Sequence, residues 1–210
     1  MTEITTTEEL RTIYRMPRGG PLDKEHPSIT EHDRAYIAHA PFVVISTADA
    51  DGRCDGSPKG GPPGFVTVLD DGRVAIPDLS GNNRLDSIEN IVANPYVGLL
   101  FLIPGTEETL RVNGPAVLST DPAILDACTT NGARPKVAIV VEPEAVYLHC
   151  GKALRRSSLW EPAGWPDTSA MPTIACMFRD LVAPTLEPEV IEAALEQDYA
   201  TTLWEPGGNP

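Results

Sequence analysis

SPKGGPPGF at positions 57–65, and after it IPDLSGNNRLDSIENIVANP at 76–95, decide how the rest of this chain is read. Each begins as a short extended run that glycine and proline break. The second then passes into Leu85, Ile88, Ile91 and Val92 at the spacing of an amphipathic helix. The pattern is a helix inserted between β-like segments. The order also suits an anion, because backbone N–H groups at a helix start bind phosphate well where an Arg or Lys joins them. Gly81, Asn82, Asn83 and Arg84 stand at that point, so the stretch predicts a phosphorylated cofactor.

On either side, short β-branched runs recur over 42–47, 54–58, 65–69, 73–77, 96–103, 110–119, 137–141 and 146–149. Asp51-Gly52 and Asp71-Gly72 have the chemistry of hairpin turns, so neighbouring strands are expected to be antiparallel, as a β-meander interrupted by a helix over 83–93. Many short strands with one inserted helix predict a mainly β (α+β) domain: a small antiparallel barrel, closed or partly closed. No GxGxxG follows a strand, which argues against a doubly wound dinucleotide fold.

Helices are expected around this barrel. Thr6 and Glu9 form a capping box that opens a helix to about Met16, before Pro17, Gly19, Gly20 and Pro21 break it. A second helix runs from Thr30 to just before Pro41, and Asp121-Pro122 starts another. The stretch 151–172 is polar and loop-rich and reads as a cover. A last helix spans 187–199, with Val190, Ile191 and Leu195 on one face, and the EPGGNP tail at 205–210 frays. The organisation is a helical arm at 1–40, the barrel at 41–150, and a covering loop with a C-terminal helix at 151–210 on the same domain.

The chain has 210 residues, 41% of them hydrophobic, enough for one substantial core. Its net charge of −14, from 30 acidic and 16 basic residues, disfavours nucleic acid and anionic membranes as partners. No apolar run approaches the roughly 20 residues of a membrane span, and the start lacks a signal-like pattern, so a soluble cytoplasmic chain is expected. Cys54, Cys128, Cys150 and Cys176 lie far apart and are expected to be reduced. His26, His32, His39 and His149 show no HExxH spacing, and neither GxSxG nor a complete phosphate loop is present, so no metal site or hydrolase triad is expected.

Against the acidic background, basic groups stand out. Lys59 sits beside Gly60, Gly61 and Gly64, either as a lysine next to a flexible loop or as a ligand contact. Asn83 and Arg84 are either an ordinary cap with a solvated arginine or a phosphate pair. Arg111 alternates with Leu110 and Val112 and faces solvent or a cofactor cleft. Lys152, Arg155 and Arg156, followed by Trp160 and Trp165, are either a surface loop plugging an apolar gap or a cover for a planar ring with an anionic tail.

These segments, with ETLRVNG at 108–114 and HCGKALRRSSLW at 149–160, resemble the pyridoxamine 5′-phosphate oxidase-like, FMN-binding split-barrel flavoproteins over roughly 42–165. The resemblance implies a six-stranded split β-barrel that forms a homodimer with FMN in two clefts at the interface. By position, Ser57 and Lys59 would line the flavin and reach its phosphate. Ile76, Pro77 and Asp78 would lie beside the ring, and Asn83 and Arg84 would hold the phosphate. Thr109 and Arg111 would approach across the interface, and Lys152, Arg155 and Trp160 would be the partner's cover. The chain departs from the true oxidase at the 60–64 loop, in its long N-terminal arm and after Phe178, where it continues into a further helix. Pyridoxamine phosphate is therefore not the expected substrate.

The leading expectation is an FMN-dependent oxidoreductase acting on a small molecule, with no catalytic residue assigned. A non-catalytic flavin- or haem-binding carrier or sensor, and a deazaflavin-dependent reductase on the same barrel, stay open beside it.

Overall fold

Strand β1 (Phe42–Ala48) buries Val43, Ile45 and Thr47 and exposes Phe42 and Ser46, the period-two alternation of a sheet with one covered face. The same alternation buries Val97, Leu99 and Phe101 of β5 (Tyr96–Leu102) and Leu110, Val112, Gly114 and Ala116 of β6 (Thr109–Ser119). In this computed structural model, which describes residues 3–79 and 81–205, the apolar side chains among them form one core with Ile37 of the helix α3 (Glu31–His39). Each fully buried Val, Leu, Ile or Phe side chain there contributes about 1.5–3 kcal/mol relative to exposure.

Strands β4 (Val74–Asp78) and β7 (Val137–Val141) are instead buried along almost their whole length. The reason is a second layer: helix α5 (Pro122–Ala127) places Leu125, with Cys128 just after it, against Ala75, Ala138 and Val140. A strand covered on both faces must be apolar at every position, which is how VAIP and AIVV read.

The remaining strands are β2 (Cys54–Gly60), β3 (Thr67–Val68) and β8 (Ala145–His149). All neighbours are antiparallel, in the order β2-β1-β5-β6-β7-β4-β3, with β8 pairing β6 off this path. This is a curled antiparallel sheet of the split-barrel kind, as expected, but among the described residues eight strands take part rather than six. It is also not a meander. The hairpins form at the two expected turns, where Gly52 and Gly72 have φ of +81° and +87°. However, β4 pairs with β7, and the chain crosses through helix α4 (Asp86–Ala93) to lay β5 beside β1.

Strand β6 belongs to both halves. Its residues up to Asn113 pair with β8 and those from Ala116 pair with β7, so the turn between β7 and β8 crosses it at Gly114. Glu142 N–H donates to the Pro115 carbonyl at 2.8 Å and Glu144 N–H to that of Asn113 at 2.9 Å. A Cβ on Gly114 would stand 1.9 Å from the Glu142 carbonyl oxygen, so only glycine permits this approach.

Outside the sheet, the capping box of α1 (Thr7–Ile13) forms as read, with Glu9 N–H on Thr6 Oγ1 at 3.2 Å, but the helix stops short of Met16 and buries nothing. A short helix α2 (Gly20–Asp23) occupies part of the expected break. Pro and Gly are compatible with it because α2 is a single turn with Pro21 near its start. Asp33 caps α3 together with Thr30 and also meets His26 Nε2 at 2.7 Å. Burial pushes the Asp33 carboxyl up, but hydrogen bonds from Thr30 and His26 outweigh it and hold it below the usual range. His26 is pushed above its ordinary value, chiefly by that bond to Asp33.

The stretch expected as loop at 151–172 includes helix α6 (Lys152–Ser157) and a 3₁₀ turn at Pro162–Gly164. Further on come α7 (Ile174–Leu181) and α8 (Pro188–Thr202), which pack on each other as a hairpin. Ile191 is buried and Leu195 half-buried, whereas Val190 is exposed. Of the tail expected to fray, 206–210 lie outside the described residues.

Candidate functional site

Edge strand β2 supplies the first wall. Opposite Thr47, Ile45 and Val43 of β1, its residues Asp55, Ser57 and Lys59 all point to the inner side of the sheet and are half-buried. Inward polar side chains protect a sheet edge from pairing with another chain, and here they also border a cavity. Across it, at the end of β4, stand Pro77 and Asp78. Lys59 Nζ meets Asp78 Oδ1 at 3.2 Å, although four strands separate β2 from β4 in the sheet order. The ion pair thus spans the split of the barrel.

The third wall is the loop before α4. Asn83 and Leu85 take left-handed conformations, with φ of +56° and +59°. Asn tolerates this region, while a Leu there carries about 1–2 kcal/mol of strain. The helix therefore begins at Asp86 rather than at 83, because these two reversals keep Arg84 outside. Leu85 at the cap position has no side-chain acceptor, so no side chain caps the first turn of α4. Arg84 N–H donates to Asn82 Oδ1 at 3.1 Å, and its Nε lies 2.5 Å from Asp86 Oδ2. Ser87 Oγ donates to Asp55 Oδ2 at 3.0 Å and ties the helix to β2.

These walls enclose about 910 Å³, the upper end of the size common for small-molecule sites. Six of the sequence-predicted residues line it together: Ser57, Lys59, Pro77, Asp78, Asn83 and Arg84. Ile76 does not; its side chain is fully buried in the core, two residues deeper along the face of β4 that carries Asp78 at the strand end. Sequence reasoning missed Asp55 and Ser87, and it missed the fourth wall, made by Phe178 of α7, by Leu195, Asp198, Tyr199 and Thr202 of α8, and by Leu203 just past its end. The signal for that wall was the four-residue spacing of Ile191, Leu195, Tyr199 and Leu203.

The cavity is chemically fit for a phosphate monoester. Arg84 and Asp86 are largely exposed, and an exposed ion pair is weak, so a phosphate would displace Asp86 at little cost. The uncapped first turn of α4 adds backbone donors. Among the described lining residues, Asp55, Asp78, Asp86 and Asp198 outnumber Lys59 and Arg84, which limits how much negative charge the site can accept.

The other predicted residues lie outside this cavity. Thr109 is buried opposite His149, and Arg111 is opposite Tyr147. The Arg111 guanidinium lies 5.9 Å from the Tyr147 ring centre, with Lys24 5.8 Å from the same ring. Burial, and then the charges of Arg111 and Lys24, push His149 below its ordinary pKa. Arg155 pairs with Glu107, which pushes its guanidinium pKa up, and Trp160 Nε1 donates to the Thr106 carbonyl at 2.8 Å. Both hold the turn between β5 and β6. Lys152 is exposed at the start of α6.

Among the described residues no helix is long and apolar enough to cross a membrane. No group of three or more histidine, cysteine or acidic side chains there is placed to hold a metal ion.

A curled antiparallel sheet with a cavity between its edge strand and its inserted helix places the chain in the split-barrel class of β-proteins. The profile of the family described as pyridoxamine 5′-phosphate oxidase matches residues 29–150, and the chain belongs to that family. Among curated proteins nothing matches it. Solved structures similar to it include a putative pyridoxamine 5′-phosphate oxidase from Lactobacillus delbrueckii, 24% identical with a TM-score of 0.45, covering 58% of this chain and 95% of that one. HupZ of Group A Streptococcus is 19% identical with a TM-score of 0.46, over 57% of this chain and 93% of its own. The haem storage protein HutZ of Vibrio cholerae is 13% identical with a TM-score of 0.38, over 59% and 94%.

Proposed function

We propose that this chain binds FMN and works as an FMN-dependent oxidoreductase on a small molecule. The observation that carries the reading is the convergence of Ser57, Lys59, Asn83 and Arg84 on one cavity beside the uncapped start of α4. Arg84 and the first-turn N–H groups would hold the phosphate, Lys59 would add charge while keeping Asp78 as its counter-ion, and Ser57 would donate a hydroxyl. Pro77 and Asp78 would border the ring, with the main chain of Ile76 behind them. Bound FMN supplies a ring that accepts or donates a hydride, and the protein supplies position and electrostatics.

A flavin is favoured over haem because the described lining residues include no histidine, cysteine or methionine, and only Tyr199 could serve as an axial ligand. The acidic excess favours a single phosphate over a longer anionic tail, and so FMN over a deazaflavin cofactor.

The outer face of the sheet supports a homodimer. Phe42 and Tyr96 are exposed there and Val44, Leu100 and Leu102 half-buried, beside Arg111 and Tyr147. A second copy covering this face would bring Thr109 and Arg111 towards the partner's flavin, while Arg155 and Trp160 stay tied to the turn between β5 and β6 of their own chain.

The test is the absorbance spectrum of the protein as isolated, followed by FMN titration and reduction with nicotinamide donors. Flavin bands and turnover are expected. An FMN-loaded protein that no physiological donor reduces would leave a carrier and remove the enzyme.

A further inference from the structure

Helices α7 and α8 lie beyond residues 29–150, so the family match says nothing of them. Along α8, Ile191, Leu195, Tyr199 and Leu203 recur every four residues and share one side of the helix. The start of this stripe is shut, with Ile191 only 6% exposed. Its other end is open. Leu195, Tyr199 and Leu203 line the cavity together with Phe178, yet Phe178, Tyr199 and Leu203 remain 44%, 55% and 57% exposed.

Two aromatic side chains half in water on one wall of a cavity present flat apolar surface to whatever enters it. The facing walls are polar and carry the phosphate-compatible groups Ser57, Lys59, Asn83 and Arg84. A ligand that satisfies both sides has an anionic group at one end and a planar ring at the other. We propose that the C-terminal hairpin of each chain is the ring-side wall of that chain's own cofactor site, with Phe178 and Tyr199 against the ring. The assignment rests on the flavin reading of the cavity. It places part of the cover within the same chain, in addition to whatever a partner's segment at 151–160 contributes.

Riboflavin, which has the ring without the phosphate, separates the two readings when titrated beside FMN. The double variant Phe178→Ala, Tyr199→Ala should weaken both ligands by about tenfold, the scale of losing ring contacts, while Tyr199→Phe keeps both. Arg84→Ala should weaken FMN and leave riboflavin unchanged. Unchanged binding of both ligands by the double variant overturns the hairpin wall and leaves the phosphate reading standing. Loss of ring contacts together with an unchanged Arg84→Ala affinity does the reverse, and a wild-type protein that binds neither ligand overturns both. Should the double variant fail to fold, the wild-type complex decides: flavin fluorescence strongly quenched by a stacked tyrosine supports the wall, and bound flavin as bright as free flavin overturns it.

Discussion

The loop at 81–85 and the segment at 151–160 carry the same kinds of side chain in different settings. In the loop, Arg84 stands beside a cavity, outside its helix, held by one exposed carboxylate. In the segment at 151–160, Arg155 is tied to Glu107, the Trp160 indole is spent on the Thr106 carbonyl, and Gly151 packs directly on Glu107. By sequence alone the 151–160 segment holds the densest basic cluster, with a tryptophan at its end. Density of charge is a poor guide to a site; what matters is whether the groups keep bonding capacity towards open space.

The largest effect should come from the point where the two halves of the barrel meet. Gly114→Ala drives a methyl into the Glu142 carbonyl and should cost about 3 kcal/mol, read by urea unfolding, with both regions disturbed at once. A loss under about 0.5 kcal/mol, the size of an ordinary surface substitution, would show that the crossing relaxes freely. Next in size, Arg84→Ala should weaken FMN by about tenfold or more, as loss of a charge-assisted hydrogen bond does, with little change in Tm. Arg155→Ala in the same chain should shift Tm slightly and leave FMN affinity alone. If instead Arg155→Ala weakens FMN, the segment acts as a partner's cover and the contrast between the two regions fails.

Smaller again is Trp160→Phe, which keeps an aromatic ring but removes the donor to Thr106 and should cost about 1 kcal/mol by thermal unfolding. The pH profile of stability tests a third place, the strap of His26 on Asp33. Asp33 has a lowered pKa, so its contribution is complete above the ordinary 3.8 and is lost as pH falls through the lower folded value. His26 has a raised pKa, so its contribution is complete below the ordinary 6.5 and is lost as pH rises through the higher folded value. Stability from the pair should therefore be greatest between those limits, and Asp33→Asn should flatten the profile. Least of all, Cys128, whose thiol burial pushes up to about 11, should resist a thiol reagent that labels the exposed Cys54 and Cys150 at once.

Much of the fold was legible. Strand β7 has the bounds its sequence suggests, and most others agree within a residue or two, because alternation and Asp-Gly turns are local signals. Strand β3 shrank to Thr67–Val68, and the pairing of β4 with β7 could not be read, since both depend on which distant strand is available. For the site, Ser57, Lys59, Pro77, Asp78, Asn83 and Arg84 were read together and lie together. Ile76 was separated from them by depth: it shares a face of β4 with Asp78 but lies two residues further into the strand, where the core closes over it.

The sequence by itself determined the strands, the inserted helix, the hairpin turns and the family, because each is written in short-range periodicity, turn chemistry or a run of matching residues. Only the tertiary structure decided that Lys59 reaches Asp78 across the split, that Arg155 and Trp160 serve the turn between β5 and β6, and that α7 and α8 wall the cavity. Those facts join residues far apart in the chain. They depend on how the sheet curls and where a helix comes to rest, which no local pattern records.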